Sequence, residues 1–279
     1  MLRLPSPVDL LNASIATTGL SIQRGLRYGS HPRQVFDLFR PAATPPPLPV
    51  LVWFYGGAWQ SGARADYMFA AATLARSGLL VAVPDYRLHP EIGYPAFLED
   101  AAAAVAAVGR GAAAQGGDPR RIFVAGHSAG AYIAAMLALD ARWLGAGRAA
   151  LAGVVGLAGP YDFLPILGAD IRAVFAPAGA DLRLTQPINH AGATHPPMLL
   201  LHGGADRTCY PRNSLALAAR LSAAGGQAEA RLYPHIGHIG IVSALAPLLR
   251  HRCPVLADTT AFIRQVLAAA GPQSIDPAA

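Results

Sequence analysis

The sequence alternates short, almost continuously apolar segments with longer alanine- and leucine-rich segments, and this alternation restricts the fold more than any other feature. Apolar runs at residues 48–55 and 79–83 predict buried strands, and the segment between them contains a helical spacing at 66–76. Strands that are apolar on both faces, each followed by a helix, indicate a mostly parallel sheet with helices on both sides. The chain is therefore predicted to be an α/β protein.

The same pattern continues along the chain. Further strands are predicted at 121–125, 151–157, 198–201 and 228–233, and further helices at 95–114, 129–143, 214–224 and 258–270. Two earlier segments, 21–27 and 34–39, alternate polar and apolar residues and predict a more exposed antiparallel edge hairpin. Residues 159–195 break the strand–helix alternation, and a connection of that length is typical of a cap over a site.

We interpret residues 21–270 as a single domain with a short cap-like insertion at about 159–195. An N-terminal segment, 1–20, precedes this domain, and a polar, flexible tail is expected at 271–279. The total of 279 residues would by length alone also allow two domains. The order of the predicted strands and helices favours one domain plus an insertion.

Composition excludes several classes of protein. With 53% hydrophobic residues the chain can form a core, so disorder is excluded. The longest uncharged apolar stretch, at 149–161, is shorter than the roughly 20 residues that a membrane-spanning helix needs, so no stable membrane insertion is expected. The N-terminus lacks the continuous apolar core of a signal peptide, and two cysteines do not make a disulfide framework. A cytoplasmic location is therefore expected.

The net charge of +6 raises the question of nucleic-acid binding. All 22 basic residues are arginines, and they are scattered singly, with Arg120 and Arg121 as the only adjacent pair. No basic cluster interleaved with aromatic residues is present, so a nucleic-acid partner is not expected.

A Gly-x-Ser-x-Gly motif occupies residues 126–130, directly after one predicted strand and at the start of a predicted helix. The turn is so tight that only small residues fit two positions on either side of Ser128. Such a strained turn exposes the Ser128 hydroxyl above the strand ends and directs the N–H of Ala129 toward a bound anion. Ser128 is the predicted nucleophile, with a structural turn and a helix-capping serine as the alternative.

A serine hydroxyl needs a base to remove its proton, and the base needs an acid to orient it. Among nine histidines, His238 is the preferred base because it lies in a glycine-lined loop after the last predicted strand; His235 is its nearest rival. Asp206, in the loop after another predicted strand, is the preferred acid, with a helix-capping turn residue as the alternative. His202 ends a predicted strand and is interpreted as structural.

Four further motifs accompany these residues: Tyr55-Gly56-Gly57-Ala58-Trp59, Pro84-Asp85-Tyr86-Arg87-Leu88, Tyr94-Pro95-Ala96 with Glu99-Asp100, and Gly159-Pro160-Tyr161-Asp162. In this order they resemble the α/β-hydrolase superfamily over residues 21–270, within it the carboxylesterase group. That group contains hormone-sensitive-lipase-like esterases, feruloyl- and acetylxylan-esterase-like proteins and kynurenine formamidase. It carries His-Gly-Gly-x-Trp or His-Gly-Gly-Gly where this chain has the tyrosine-led motif.

The resemblance implies that the N–H groups of Gly57 and Ala58 stabilise an oxyanion together with that of Ala129. In the group, the histidine that Tyr55 replaces braces this loop, and the Tyr55 hydroxyl is expected to take over that role. Trp59 is either a core residue or a wall of the acyl pocket.

Two further expectations concern the surroundings of the site. His127, which lies inside the turn and is expected to point away from Ser128, is a tentative second residue of the substrate pocket. Asp85 and Arg87 are expected to form a structural ion pair near the site.

Taken together, the residues and the resemblance predict an α/β-hydrolase fold and a serine hydrolase that cleaves carboxylic esters through an acyl-enzyme on Ser128. The expected partner is a small-molecule ester, and neither a cofactor nor a metal is expected. The small insertion favours small or soluble esters, and the sequence carries no indication of an oligomeric state. Two alternatives stay open: an arylformamidase-type amide hydrolase with an aromatic-lined pocket, and a non-catalytic binding protein on the same fold.

Overall fold

The computed structural model describes residues 7–270, and its centre is one eight-stranded sheet. The strands are β1 (Leu20–Arg27), β2 (Val35–Pro41), β3 (Leu48–Phe54), β4 (Leu80–Pro84), β5 (Gly117–His127), β6 (Leu151–Leu157), β7 (Met198–Gly203) and β8 (Ala228–Tyr233). Their order across the sheet is β1-β2-β4-β3-β5-β6-β7-β8. The pairs from β4 onward are parallel, which confirms the predicted sheet type.

Helices cover this sheet within the part of the chain that the structure describes. They are α1 (Pro7–Ala13), α2 (Met68–Ala75), α3 (Ala96–Gly111), α4 (Ala129–Leu139), α5 (Ala141–Leu144), α6 (Ala169–Phe175), α7 (Arg212–Ala223), α8 (His238–Ser243) and α9 (Val255–Ala269). Every residue of β4 and β7 is buried, which requires cover on both faces of the sheet. Every residue of α4 is buried too, as its continuously apolar sequence demands.

The predicted N-terminal hairpin is present, but its exposure was predicted wrongly for one strand. β1 pairs with β2 in antiparallel fashion, and β1 is the exposed edge. β2 also pairs with β4 on its other side, so its first five residues are buried. The alternation of polar and apolar residues in β2 therefore does not mark a second exposed strand, because the buried polar residue Asp37 accepts hydrogen bonds from Arg64 and from the N–H of Gly25.

Predicted boundaries agree with the structure where the sequence contains an apolar run. The strands expected at 151–157 and 228–233 begin and end at those residues. The helix expected at 129–143 instead breaks at Asp140, whose backbone is extended (φ −101°, ψ 107°). The Asp140 side chain accepts a hydrogen bond from the N–H of Arg142, which caps the short α5. Neither α1 nor α8 was predicted.

The insertion between β6 and β7 contains α6 and three short 3-10 segments, Ala176–Ala178, Arg183–Thr185 and Pro187–His190. Aromatic packing holds it against the body of the protein. The ring of Phe175, which is fully buried, lies 5.0 Å from that of Trp59, and the ring of Phe163 lies 6.2 Å from it. Such pairs contribute about 0.5–1.5 kcal/mol each beyond their buried area.

Parts of the predicted organisation lie outside the described residues: the tail at 271–279 and the first six residues of the N-terminal segment. Within residues 7–270, no helix has both the length and the apolar character needed to cross a membrane.

Candidate active site

Ser128 lies between the last residue of β5 and the first residue of α4. Its backbone has φ +55° and ψ −119°, a conformation that costs a residue with a side chain of order 1–3 kcal/mol. The surrounding structure holds it there, because the N–H of Ser128 donates to the carbonyl of Leu157 at 2.9 Å and its carbonyl accepts from Tyr132 at 3.1 Å. The turn thus projects the hydroxyl from the carboxyl end of the central strand.

The two motif glycines explain how so tight a turn fits. A Cβ on Gly130 would lie 2.0 Å from the carbonyl oxygen of Phe54, the last residue of β3. A Cβ on Gly126 would lie 2.4 Å from the carbonyl carbon of Gly130. Backbone therefore meets backbone on both sides of Ser128, which is why the sequence needs glycine two positions before and after it.

The structure brings Ser128, His238 and Asp206 together. His238 Nε2 lies 2.9 Å from Ser128 Oγ, and His238 Nδ1 lies 2.7 Å from Asp206 Oδ2. His238 is the first residue of α8, just beyond β8, and Asp206 follows β7. The three side chains therefore come from the carboxyl ends of three parallel strands, where open α/β sheets build their sites.

Asp206 is held in one orientation and in its ionised form. Its Oδ1 accepts hydrogen bonds from the N–H groups of Thr208 and Cys209, each at 2.9 Å. Burial of Asp206 favours the neutral acid, but hydrogen bonds from His202, His238 and Cys209 outweigh it and hold the pKa of this carboxyl well below its usual value. An anion faces His238 Nδ1 at neutral pH.

His202 is a residue whose contact with the site was not predicted. It is fully buried, and its Nε2 lies 2.7 Å from the carbonyl of Cys209 and 3.3 Å from Asp206 Oδ2. Both neighbours are acceptors, so Nε2 carries the proton, and Nδ1 accepts from the Ser214 hydroxyl at 2.8 Å. The interpretation of His202 as structural omitted its direct contact with the acid. The available signal was its position, at the end of a buried strand and four residues before Asp206.

The predicted oxyanion loop has an unusual backbone. Gly57, Ala58 and Trp59 all have positive φ, at 130°, 54° and 61°. A Cβ on Gly57 would lie 2.1 Å from the carbonyl oxygen of Ser61, so this position requires glycine. Ala58 and Ala129 line the same cavity as Ser128. The N–H of Ala129 belongs to the first turn of α4, where backbone N–H groups have no partner within the helix.

Tyr55, which stands where the resembling group has histidine, is fixed by two neighbours, Arg33 and Tyr86. Its hydroxyl accepts from Arg33 Nη2 at 2.7 Å, and the same nitrogen donates to the carbonyl of Gly62 at 2.8 Å. Its ring stacks on Tyr86 at 4.7 Å, and the Tyr86 hydroxyl donates to the Tyr55 carbonyl at 2.9 Å. Arg33 thus joins the beginning and the end of the glycine-containing loop through the Tyr55 hydroxyl.

The expected ion pair between Asp85 and Arg87 is wrong. Asp85 instead pairs with Arg64, whose N–H also donates to it at 2.7 Å. Arg87 turns to Asp100, which accepts from its Nε and Nη2 at 2.9 and 2.8 Å. β4 ends at Pro84, so Asp85 and Arg87 both lie in the irregular segment after the strand, where each contacts a partner from another part of the chain.

A cavity of about 310 Å³ opens beside Ser128. Its wall includes Trp59, which is also a buried core residue, and a contact of Trp59 with an acyl group stays a prediction. The remainder of the wall comes from the insertion, from the loop after β7 and from the start of α7: Pro160, Asp162, Phe163, Pro165, Ile166, Leu167, Gly168, Ile171, Thr208, Cys209, Tyr210, Arg212 and Asn213. The wall is mainly apolar, as is usual for small-molecule sites.

The expectation that His127 lines the pocket is wrong: it is not among the described residues of the cavity wall. His127 is 2% exposed and lies beneath the turn. Its Nε2 lies 3.0 Å from the carbonyl oxygen of His238, and its Nδ1 lies 3.2 Å from the hydroxyl of Tyr67. The second residue of the motif points away from the nucleophile, so His127 is turned toward the interior.

Within the described residues, no three His, Cys, Asp or Glu side chains are grouped so that they could hold a metal ion. The eight-stranded sheet, the turn after β5 and the hydrogen-bonded serine, histidine and aspartate are those of an α/β-hydrolase fold.

Comparison with known proteins gives the family. The chain belongs to the BD-FAE family, whose family model matches residues 36–221. An isoprenylcysteine alpha-carbonyl methylesterase of Arabidopsis thaliana is 31% identical over 238 residues, covering 76% of this chain and 55% of the relative. The carboxylesterase NlhH of Mycobacterium tuberculosis is 46% identical over 100 residues, which cover 35% of this chain and 31% of that protein. The chain spans about half the length of the plant relatives that it matches.

Solved structures share the fold. Esterase B from Lactobacillus rhamnosis matches with a TM-score of 0.77 at 19% identity, over 94% of this chain and 94% of that chain. A truncated carbohydrate esterase from gut microbiota matches with a TM-score of 0.76 at 21% identity, over 88% of this chain and 96% of that chain. At these identities the likeness shows a common α/β-hydrolase architecture.

Proposed function

We propose that the protein is a serine esterase that hydrolyses small carboxylic esters through an acyl-enzyme on Ser128. The observation that carries the proposal is the chain of two hydrogen bonds, 2.9 and 2.7 Å long, from Ser128 through His238 to Asp206, beside an apolar cavity. Relatives named carboxylesterase and methylesterase support ester hydrolysis as the reaction.

The acylation step uses each of these groups. Ser128 Oγ attacks the ester carbonyl while its proton passes to His238 Nε2. Asp206 accepts a hydrogen bond from the Nδ1–H of His238, which leaves Nε2 free as the base and stabilises the imidazolium that forms. The negative charge that develops on the carbonyl oxygen is bound by the N–H groups of the oxyanion loop and of Ala129, each worth about 3–4 kcal/mol of transition-state stabilisation.

The tetrahedral intermediate then collapses. The imidazolium of His238 gives its proton to the leaving alcohol, and the acyl group stays on Ser128. A water molecule, deprotonated by His238, attacks the acyl-enzyme carbonyl and regenerates the serine as the acid departs. Atoms and protons balance with water as the only co-reactant.

The cavity favours short acyl chains. Its volume of about 310 Å³ lies at the lower end of the range for ligand pockets, roughly 300–1,000 Å³. Phe163 and Ile171 of α6 restrict it on the side of the insertion, and aromatic packing on Trp59 holds that insertion in place. Long acyl chains would have to extend over the outer surface.

Aromatic residues in the cavity wall support a second candidate. Trp59, Phe163 and Tyr210 line it, and an arylformamidase needs the same catalytic groups with an aromatic-lined pocket. Turnover of N-formylkynurenine far above that of simple esters would favour this amide hydrolase.

Two measurements on the wild-type protein test the proposal. A fluorophosphonate probe is expected to form an adduct that peptide mass spectrometry locates on Ser128. p-Nitrophenyl esters with C2 to C12 acyl chains are expected to give the highest kcat/KM at C2 to C6. Labelling that survives in Ser128→Ala would contradict the assigned nucleophile, and a preference for C10 or longer would contradict the proposed substrate size.

A buried chain of hydrogen bonds behind the site links its two halves. The N–H of Gly56 donates to the Tyr67 hydroxyl at 3.2 Å, and that hydroxyl lies 3.2 Å from His127 Nδ1. His127 Nε2 in turn donates to the carbonyl of His238 at 3.0 Å. Burial, and next the nearby His238, lower the pKa of His127 to about 3, so His127 stays neutral at physiological pH. We infer that His127 positions the oxyanion loop and the backbone of the base relative to each other.

His127→Phe keeps a ring in this space but removes both hydrogen bonds, and we expect it to lower kcat about 10-fold, since small misplacements near a reaction centre are costly. His127→Gln retains a donor near the Nε2 position and is expected to recover part of the loss. Steady-state kinetics on p-nitrophenyl butyrate measure both, with His251→Gln at an exposed position as control. Equal losses in His127→Gln and His127→Phe would contradict the positioning role.

The same variants are expected to change how the free energy of unfolding depends on pH in acid. The unfolded chain takes up a proton at His127 below a pH of roughly 6.5, whereas the folded protein does so only near a pKa of about 3. The contribution of the neutral His127 to the free energy of unfolding is therefore complete above a pH of roughly 6.5. It decreases as the pH falls from there toward 3, by up to about 1.4 kcal/mol per pH unit. Urea unfolding at pH 5 and pH 7 is expected to show a smaller pH dependence in His127→Gln than in wild type.

A further inference from the structure

One cationic side chain lies in the otherwise mainly apolar cavity wall. Arg212 lines the same cavity as Ser128, and its side chain is exposed to solvent. Among the residues that the structure describes, no carboxylate lies within the 4.0 Å of an ion pair with Arg212. No ion pair from the described part of the chain therefore occupies the hydrogen-bond donors of this guanidinium.

The position of Arg212 in its helix is unfavourable for a cation. It is the first residue of α7, at the end where the helix dipole is positive and where a basic side chain destabilises the helix. Arg220, by contrast, lies in the last turn of the same helix, where a positive charge is favourable. The helix dipole thus accounts for a positive charge at Arg220 but not for one at Arg212.

The guanidinium of Arg212 is also held in place. Its central carbon lies 5.8 Å from the centre of the Tyr210 ring, and Tyr210 is itself part of the cavity wall. A guanidinium that stacks on an aromatic face keeps its N–H donors directed outward in its own plane, an arrangement suited to a carboxylate.

We propose that Arg212 binds a carboxylate group of the substrate, so that the preferred esters are anionic half-esters or esters of a carboxylate-bearing alcohol. This inference rests on the proposed function, since it places the scissile ester at Ser128 and the carboxylate at Arg212, in the wall of the same cavity. The overall charge of +6 favours the approach of such anions. The apolar wall between the two points accommodates the carbon chain that joins them.

Asp162 determines where the anion is bound. It lies in the same wall, and the N–H of its own backbone is taken by Asn213 Oδ1 at 2.8 Å. Its carboxylate makes no ion pair with Arg212 among the described contacts, so it leaves the guanidinium available. Like charges repel, and a substrate carboxylate is therefore directed to the Arg212 side of the cavity.

Two pairs of esters with matched size test the proposal. The first is mono-4-nitrophenyl glutarate against 4-nitrophenyl pentanoate, and the second is 4-(butyryloxy)benzoate against its methyl ester. In at least one pair, wild type is expected to prefer the anionic ester. Arg212→Gln is expected to lower kcat/KM for that ester about 10- to 100-fold more than for its neutral partner, as loss of a charged hydrogen-bonded contact predicts. Arg220→Gln, the control on the same helix, is expected to match wild type on both.

A binding measurement separates this inference from the proposed catalysis. Calorimetry with monomethyl glutarate on Ser128→Ala, which needs no turnover, is expected to show binding that weakens about 10-fold or more in Ser128→Ala combined with Arg212→Gln. Binding that depends on Arg212 without hydrolysis of any ester overturns the proposed function and retains the carboxylate site. Ester turnover with no preference for either anionic ester, or equal losses in Arg212→Gln and Arg220→Gln, overturns the carboxylate site and retains the esterase.

Discussion

Replacing Ser128 by alanine is expected to lower kcat/KM for p-nitrophenyl butyrate by about 10⁴-fold or more, because hydrolysis then loses its covalent route. The cavity, the oxyanion loop and the hydrogen bond between His238 and Asp206 stay in place, so a small residual rate above that in water is expected. Alanine keeps the backbone N–H of residue 128, which donates to Leu157 at 2.9 Å. The fold is therefore expected to survive the change.

Kinetics and thermal unfolding together check this result. Ser222→Ala is the matched control, because Ser222 is exposed and its hydroxyl donates only a long hydrogen bond, 3.3 Å, to Ala228. It is expected to retain wild-type activity. If Ser128→Ala kept a tenth of the wild-type activity with an unchanged melting temperature, Ser128 would not be the nucleophile.

The second large effect is expected for Asp206→Asn, with a loss in kcat of about 10⁴-fold. Asp206 Oδ1 accepts from two backbone N–H groups, those of Thr208 and Cys209. An asparagine must keep its carbonyl oxygen there, so its amide nitrogen faces His238 Nδ1. A donor at that point forces the proton of His238 onto Nε2, and the histidine can no longer accept a proton from Ser128.

Stability should change in the same variant. The amide nitrogen of Asp206→Asn also meets the donor His202 Nε2, which lies 3.3 Å from Oδ2 in wild type. Because the pKa of Asp206 is lowered in the folded protein, its stabilising contribution is complete at neutral pH and is lost as the pH falls below roughly 4. The difference in unfolding free energy between wild type and Asp206→Asn is therefore expected to narrow in acid.

Activity assays at pH 7 and urea unfolding between pH 3 and pH 7 measure these effects. Asp181→Asn serves as control, because Asp181 is an exposed carboxylate that pairs with Arg183 on the insertion. A rate for Asp206→Asn within 10-fold of wild type would show that another group orients His238.

The strands and helices were predictable because each strand of a parallel sheet covered on both faces is a nearly continuous run of apolar residues. The positions of Ser128, Asp206 and His238 along that pattern were sufficient to select them as candidates, since each lies in a turn or loop after the carboxyl end of a strand. The turn at Ser128 could be predicted because so tight a turn requires glycine at positions such as Gly130, and those glycines can be read from the sequence.

Partners that depend on packing were not predictable. Asp85 and Arg87 are close in sequence and opposite in charge, yet they do not pair with each other. Asp85 pairs with Arg64 and Arg87 pairs with Asp100, both from other segments of the chain. His202 contacts Asp206 only because the loop after β7 folds back over the strand. His127 points away from Ser128 as expected, but its contacts with Tyr67 and His238 were not predictable, because those residues come from other segments of the chain.

The distribution of the site over the sheet has a consequence for how the protein matures. The oxyanion loop follows β3, Ser128 follows β5, Asp206 follows β7 and His238 follows β8, the outermost strand on that side. A partly assembled sheet therefore holds an unactivated serine, because its base arrives only when the outermost strand has docked. Recovery of catalysis during refolding reports completion of the sheet itself, and it must trail any optical signal that follows formation of the central strands.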